Sequence, residues 1–163
     1  MEDKQLKAIV DTIVDRYKNG GASKRNREVN LAAALQLSEA VKAEAKRIGV
    51  KAVVCVSDRG GHPILVERMD DAYIASYDVA VNKAFTVVAL KMSTMTLKPL
   101  AQPGQSLYGI QFTNGGKIVI FGGGDPLTDG RGTIVGGLGV SGGSEEQDAA
   151  LSLYGKRYFE NNM

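Results

Sequence analysis

The chain has 163 residues, enough for one domain with its own core, and its 44% hydrophobic and 23% charged residues are ordinary for a globular protein. A formal net charge of +2, with Lys24, Arg25 and Arg27 as the densest basic patch, argues against a nucleic-acid partner. One histidine, one cysteine and no tryptophan leave too few ligands for a Cys/His zinc site in a single chain.

The opening "MEDKQLKAIVDTIVDRYK" is acidic and amphipathic, without the basic start and apolar run of a signal peptide. No stretch has the length and apolarity of a membrane span. The expected location is the cytoplasm, and Cys55, alone inside the apolar run "KAVVCVS", fits a buried, inert thiol in a reducing compartment.

Leu6, Ile9, Val10, Ile13, Val14 and Tyr17 form one helical stripe, ended by Asn19-Gly20-Gly21. Residues 1–30 are expected to be a helical extension and 31–163 the core of a single domain. Leu31, Ala34, Leu35, Ser38, Val41, Ala45 and Ile48 trace a second helix that Gly49 closes. "VKAVVCVS" is short, β-branched and apolar on both faces, which predicts a strand covered on two sides. "DRGGH" is a turn, and "PILVERM" the return strand of a hairpin. Residues 76–93 are predicted helical, with Ser76 as the cap and Asp78 in the first turn. "TMTLKPLAQPGQ" is predicted irregular because of its two prolines. "YGIQFT" and "KIVIF" flank Asn114-Gly115-Gly116, a hairpin signal. "GGGDPLTDGRG" is predicted to be a loop and "TIVGGLGVSG" a last strand. Ser144 and Gln147 make a capping box for a final helix with Ala150, Leu153, Tyr154 and Tyr158 inward. The order α-α-β-β-α-β-β-β-α predicts an α+β fold, an antiparallel sheet of about five strands with flanking helices.

Two motifs in the last strand offer function and then withdraw it. Residues 137–142, Gly-Leu-Gly-Val-Ser-Gly, fit the dinucleotide fingerprint. That fingerprint needs a parallel βαβ unit with a second strand ending in an acidic residue about twenty positions on, and only one helix and a short tail follow Gly142. Ser144, Glu145 and Glu146 would also repel a phosphate from the helix start. Residues 139–143 fit G-x-S-x-G around Ser141, yet no histidine follows to complete a hydrolase triad.

Three segments together resemble the GlcG/HbpS/PduO C-terminal family. "VVCVSDRGGHPILVERMDDAYIAS" is similar to its Val-Asp-x-x-Gly-His-Leu…Arg-Met-Asp-Gly-Ala…Ser pattern, "AVNKAFTVVAL" to its Ala-x-x-Lys-Ala helix, and "FGGGDPL…GTIVGGLGVSGGSEEQD" to its glycine-rich close. The similarity runs from about Leu31 to the C-terminus. Asp71 stands where the pattern has glycine, and Pro63 where it has leucine. The resemblance implies a profilin-like or PAS-like sheet, a homo-oligomer, and haem or a related tetrapyrrole as the ligand. It implies no particular reaction.

On that resemblance His62 is the expected iron ligand. Read from the residues alone, it is an exposed turn histidine. Met69 is a weaker sulfur ligand or simply core, and Tyr73, Tyr77 and Tyr108 are further oxygen donors. Arg68 and Lys83 are expected to hold carboxylates of the ligand, or else to pair with Asp58, Asp70 or Asp78. Gly123, Gly139 and Ser141 are expected to form close walls for a flat ligand, or else to allow tight helix-on-sheet packing. A corrinoid accessory protein of a diol or glycerol pathway, and a cofactor-free interaction module, are the alternatives.

Overall fold

The computed structural model describes residues 28–163. The predicted helix over residues 1–18 lies outside them. The elements are α1 (Leu31–Arg47), β1 (Val53–Asp58), β2 (Pro63–Arg68), α2 (Ser76–Ala89), α3 (Thr94–Leu100), two 3-10 turns (Ile110–Phe112 and Asn114–Gly116), β3 (Gly124–Thr128), β4 (Ile134–Ser141) and α4 (Glu145–Asn162). The sheet has four strands in the order β2-β1-β4-β3, with every neighbouring pair antiparallel.

β1 and β4 are the central strands, and helices cover them on both faces. Val54, Val56, Leu138 and Val140 point to α1 and α4, where they pack with Leu37, Val41, Leu151 and Phe159. Val53 and Cys55 point the other way, against Ala80 and Ala84 of α2. This is the two-sided burial that the unbroken apolar run of β1 predicts. On the α2 side β4 offers Gly137 and Gly139 instead of side chains. A Cβ on Gly139 would lie 2.0 Å from the carbonyl oxygen of Ala80, and one on Gly137 would lie 2.4 Å from that of Ala84. The helix backbone therefore rests directly on the strand.

α1 starts at Asn30, whose Oδ1 accepts the Ala33 N–H at 2.9 Å. Its buried face is Ala34, Leu37, Ser38, Val41 and Ala45; Leu31 and Leu35, predicted inward, are exposed. Leu35 lies about 100° round the helix from Ala34, off the edge of the contact. α4 begins with the predicted capping box: Ser144 Oγ accepts the Gln147 N–H at 3.3 Å, and Gln147 Oε1 accepts the Ser144 N–H at 2.9 Å. Its inner stripe is not the predicted one. Asp148, Leu151, Ser152, Gly155 and Phe159 are buried, while Leu153 and Tyr154 are exposed. Polar and small residues occupy that face because each has an interior task. Ser152 donates to Asp125 at 2.6 Å, and a Cβ on Gly155 would lie 2.5 Å from Leu138 Cδ2.

Four further expectations are corrected. α2 is capped by Ala75 without a side-chain bond, and Ser76 is turned inward. Residues 94–100 form a short helix despite Pro99; Ser93 Oγ accepts the Thr96 N–H at 3.1 Å, and the proline falls in the last turn. The segment 108–121 contains no strand. Asn114, Gly115 and Gly116 all have positive φ, and the chain after them is held by a side chain instead of a ladder. Thr86 Oγ1 accepts the Val119 N–H at 3.0 Å, and its one proton lies between the Asn82 carbonyl at 2.7 Å and the Lys117 carbonyl at 3.2 Å. The third strand of the sheet lies instead in the predicted loop, where Gly124–Thr128 pairs with β4. It is an edge strand, which tolerates Pro126. Asp71, the departure from the family's glycine, has φ +62°, a conformation that glycine adopts without strain.

Candidate functional site

His62, Arg68, Met69, Lys83, Gly123, Gly139 and Ser141 fall at three separate places, while Tyr73, Tyr77 and Tyr108 are exposed outside them. The first is the tip of the β1–β2 hairpin. Gly61, at φ +78°, lets the chain reverse, and the Asp58 N–H donates to the His62 carbonyl at 2.9 Å. The Asp58 side chain organises the turn: Oδ1 accepts the Gly60 N–H at 2.8 Å and the His62 N–H at 2.9 Å. These backbone bonds, that from His62 foremost, hold the Asp58 carboxyl below the usual carboxylate range. His62 Nδ1 lies 3.5 Å from the same oxygen, and its side chain is 83% exposed. A carboxylate beside one ring nitrogen leaves the other free to face outward, the arrangement commonly found behind metal-bound imidazoles.

The second place is the far end of the hairpin. Arg68 and Met69 border an open cleft of about 710 Å³, with Lys42, Lys46 and Lys51 around it. The cations there are partly spoken for: Lys51 pairs with Asp71 at 2.8 Å, and Lys42 with Glu67 at 2.9 Å. Met69 Sδ accepts the Ala52 N–H at 3.4 Å, and the side chain packs on the core. From His62 to Arg68 is six residues of extended chain, roughly 20 Å. His62 and Arg68 therefore stand at opposite ends of the hairpin's second strand.

The third place is interior. Lys83 is fully buried and donates to the Val140 carbonyl at 2.8 Å and to Asp148 Oδ2 at 3.0 Å. Its partner is none of the three aspartates considered from sequence. Burial pulls the ammonium below its ordinary range, and Asp148 opposes that; burial likewise pushes the Asp148 carboxyl up against Lys83. Gly123 makes room for this pair, since a Cβ there would lie 2.5 Å from Lys83 Nζ. Ser141 is buried and donates to Ser76 Oγ at 3.1 Å. Lys83, Gly123, Gly139 and Ser141 are thus gathered under α2, closed off from the surface.

This geometry disposes of both glycine motifs. β4 is antiparallel to both neighbours, so it leaves no crevice of the parallel kind. The start of α4 is taken by its own capping box, and Asp148 Oδ1 accepts the Gly143 N–H at 2.9 Å. Ser141 pairs with Val53, at the opposite end of β1 from the turn that carries His62.

Nothing in the sequence marks Lys117, yet Phe85 packs against the hairpin tip and Lys117 stands beside the Phe85 ring. A Cβ on Gly61 would lie 2.9 Å from Phe85 Cδ2, and Lys117 Nζ stands 5.5 Å from the centre of the Phe85 ring. The only available hint is that Phe85 follows directly on the Ala-x-x-Lys-Ala motif.

The fold defines the class: an α+β domain, one antiparallel sheet between helices, of the profilin-like or PAS-like kind. The profile of the HbpS-like family, described as haem degrading protein HbpS-like, matches residues 29–156, and the chain belongs to that family. An uncharacterized 15.0 kDa protein in the dhaT-dhaS intergenic region of Citrobacter freundii is 47% identical over 124 residues, 76% of this chain and 87% of that one. The corrinoid adenosyltransferase PduO of the same organism is 36% identical over 148 residues, 88% of this chain. The chain spans only 44% of that relative's length. Among solved structures, a PduOC:heme complex superposes with a TM-score of 0.76 at 37% identity, covering 80% of this chain and 94% of that one. Among the described residues no helix is long and apolar enough to cross a membrane.

Proposed function

We propose that this protein binds haem or a closely related tetrapyrrole, with His62 as the iron ligand, and that it does so as a cytoplasmic homo-oligomer. The observation that carries the reading is the exposed imidazole braced by Asp58 at the hairpin tip, in a chain 37% identical to one crystallised with heme. The donor fits the group: a neutral imidazole with a carboxylate behind it is a good axial ligand. When bound, haem supplies redox and ligand-binding chemistry at its iron; the protein's share is to present His62 Nε2 and to keep Asp58 behind Nδ1. Arg68, Met69 and the cleft beside them lie at the opposite end of β2 from His62. Self-association is supported by exposed Tyr73, Ile74 and Tyr77, a run of large side chains just before and in the first turn of α2 that a monomer would leave in water.

Hemin titration followed at the Soret band, with native mass measured before and after, tests this reading. A saturable shift on an assembly of two or more copies supports it; no shift overturns it. The likeness to PduO favours a second reading, an accessory protein for corrinoids. Cobalamin titration distinguishes the two, since that reading requires a spectral change with cobalamin and none with hemin.

A further inference from the structure

Of the two cations expected from sequence to hold the ligand's carboxylates, Lys83 is sealed against Asp148 and Arg68 lies at the other end of β2 from His62. We infer that Lys117, standing on the ring of Phe85, receives an anionic arm of the ligand held by His62, an inference that rests on the His62 reading above. The Arg59–His62 turn is pinned to α2 at this point, because Gly61 lies against both the ring and the Cα of Phe85. The next residue after Gly61 is His62. Thr86, the neighbour of Phe85, holds the segment after Lys117 by accepting the Val119 N–H at 3.0 Å, and its hydroxyl lies 3.2 Å from the Lys117 carbonyl. A single helical position thus joins the histidine turn and the lysine.

The charge of Lys117 is also available. Among the described residues it has no carboxylate partner, only the Phe85 ring. The other cation of the turn, Arg59, is paired with Glu28 at 3.0 Å. An imidazole, an aromatic ring and an uncompensated ammonium suit a planar ligand with a metal at its centre and a carboxylate at its rim. The ring supplies apolar contact, and the lysine exchanges a weak cation–π contact for an ion pair.

The test compares hemin with hemin dimethyl ester, which has the same macrocycle and iron but no free carboxylates. Wild type, Lys117→Met, Lys117→Arg and His62→Ala are titrated with each. The expected result is that Lys117→Met weakens hemin binding about fivefold, leaves the ester's affinity unchanged, and is rescued by Lys117→Arg. If Lys117→Met leaves hemin affinity unchanged, or weakens hemin and ester equally, the inference fails while the His62 reading stands on the His62→Ala spectrum. If wild type does not bind hemin, that reading falls and this inference with it.

Discussion

Replacing Lys83 with Met is expected to destabilise the fold without touching a ligand surface. The substitution keeps an unbranched apolar stem of similar length and deletes the ammonium. Val140 loses a donor at 2.8 Å and Asp148 loses one at 3.0 Å, while Asp148 retains the Gly143 N–H at 2.9 Å. Breaking one side of a buried ion pair costs about 3–5 kcal/mol, a large part of the ~5–15 kcal/mol that holds an ordinary domain together. Burial already raises the Asp148 carboxyl, and without Lys83 it is raised further. A group with a raised folded pKa gains stability as pH falls through that value, so the deficit should be smaller at pH 5 than at pH 8. Urea unfolding followed by circular dichroism, at fixed protomer concentration, measures this. The double variant Lys83→Met/Asp148→Asn removes both charges and should recover at least half of the loss. A single variant within ~1 kcal/mol of wild type, or a double variant no better than the single, refutes the assignment of Lys83 to a structural pair.

Gly139→Ala should destabilise by about 2 kcal/mol or more, because its Cβ would meet the Ala80 carbonyl at 2.0 Å and α2 would have to lift; an unchanged melting curve would show that the helix does not rest there. The Cys55 thiol, pushed up to about 12 by burial, should stay silent to a disulfide reagent at pH 8 and react only in denaturant. Reaction in the native protein at a rate typical of a free thiol would contradict its place between β1 and α2. The lowered Asp58 carboxyl contributes stability that is present above the ordinary carboxylate value and is lost as pH falls through its lower folded value. Asp58→Asn keeps an acceptor for the turn and gives up the charge, so it should flatten the acid limb of the stability–pH curve; an identical acid limb would sink the role given to Asp58.

Where one segment both makes and buries its own structure, its residues alone reveal it. β1 reads as a two-sided strand because Val53, Val54, Cys55 and Val56 are all apolar, and the start of α4 reads as a cap because Ser144 and Gln147 are three apart. Where a distant partner decides, the local signal misleads. Asn114-Gly115 looks like a hairpin turn, but Thr86 captures the following chain and no ladder forms. Gly124–Thr128 looks like a loop, yet β4 offers it an edge. The inward face of α4 was hidden because Asp148 and Ser152 are polar until Lys83 and Asp125 meet them. The same holds for the candidate site. His62 stands out as the lone imidazole of the chain. Lys83 is in the family's helix motif, but only the fold shows that its charge is spent inside. Lys117 carries no motif, and its place beside Phe85 depends on a contact between residues far apart in sequence.

The central claim is that His62 presents its imidazole to an iron. Imidazole rescue of the hemin-loaded His62→Ala variant tests it most directly. The account predicts that wild type shows the spectrum of a histidine-ligated ferric haem, that His62→Ala loses it, and that free imidazole restores it. A His62→Ala spectrum the same as wild type, with no response to imidazole, would contradict the account.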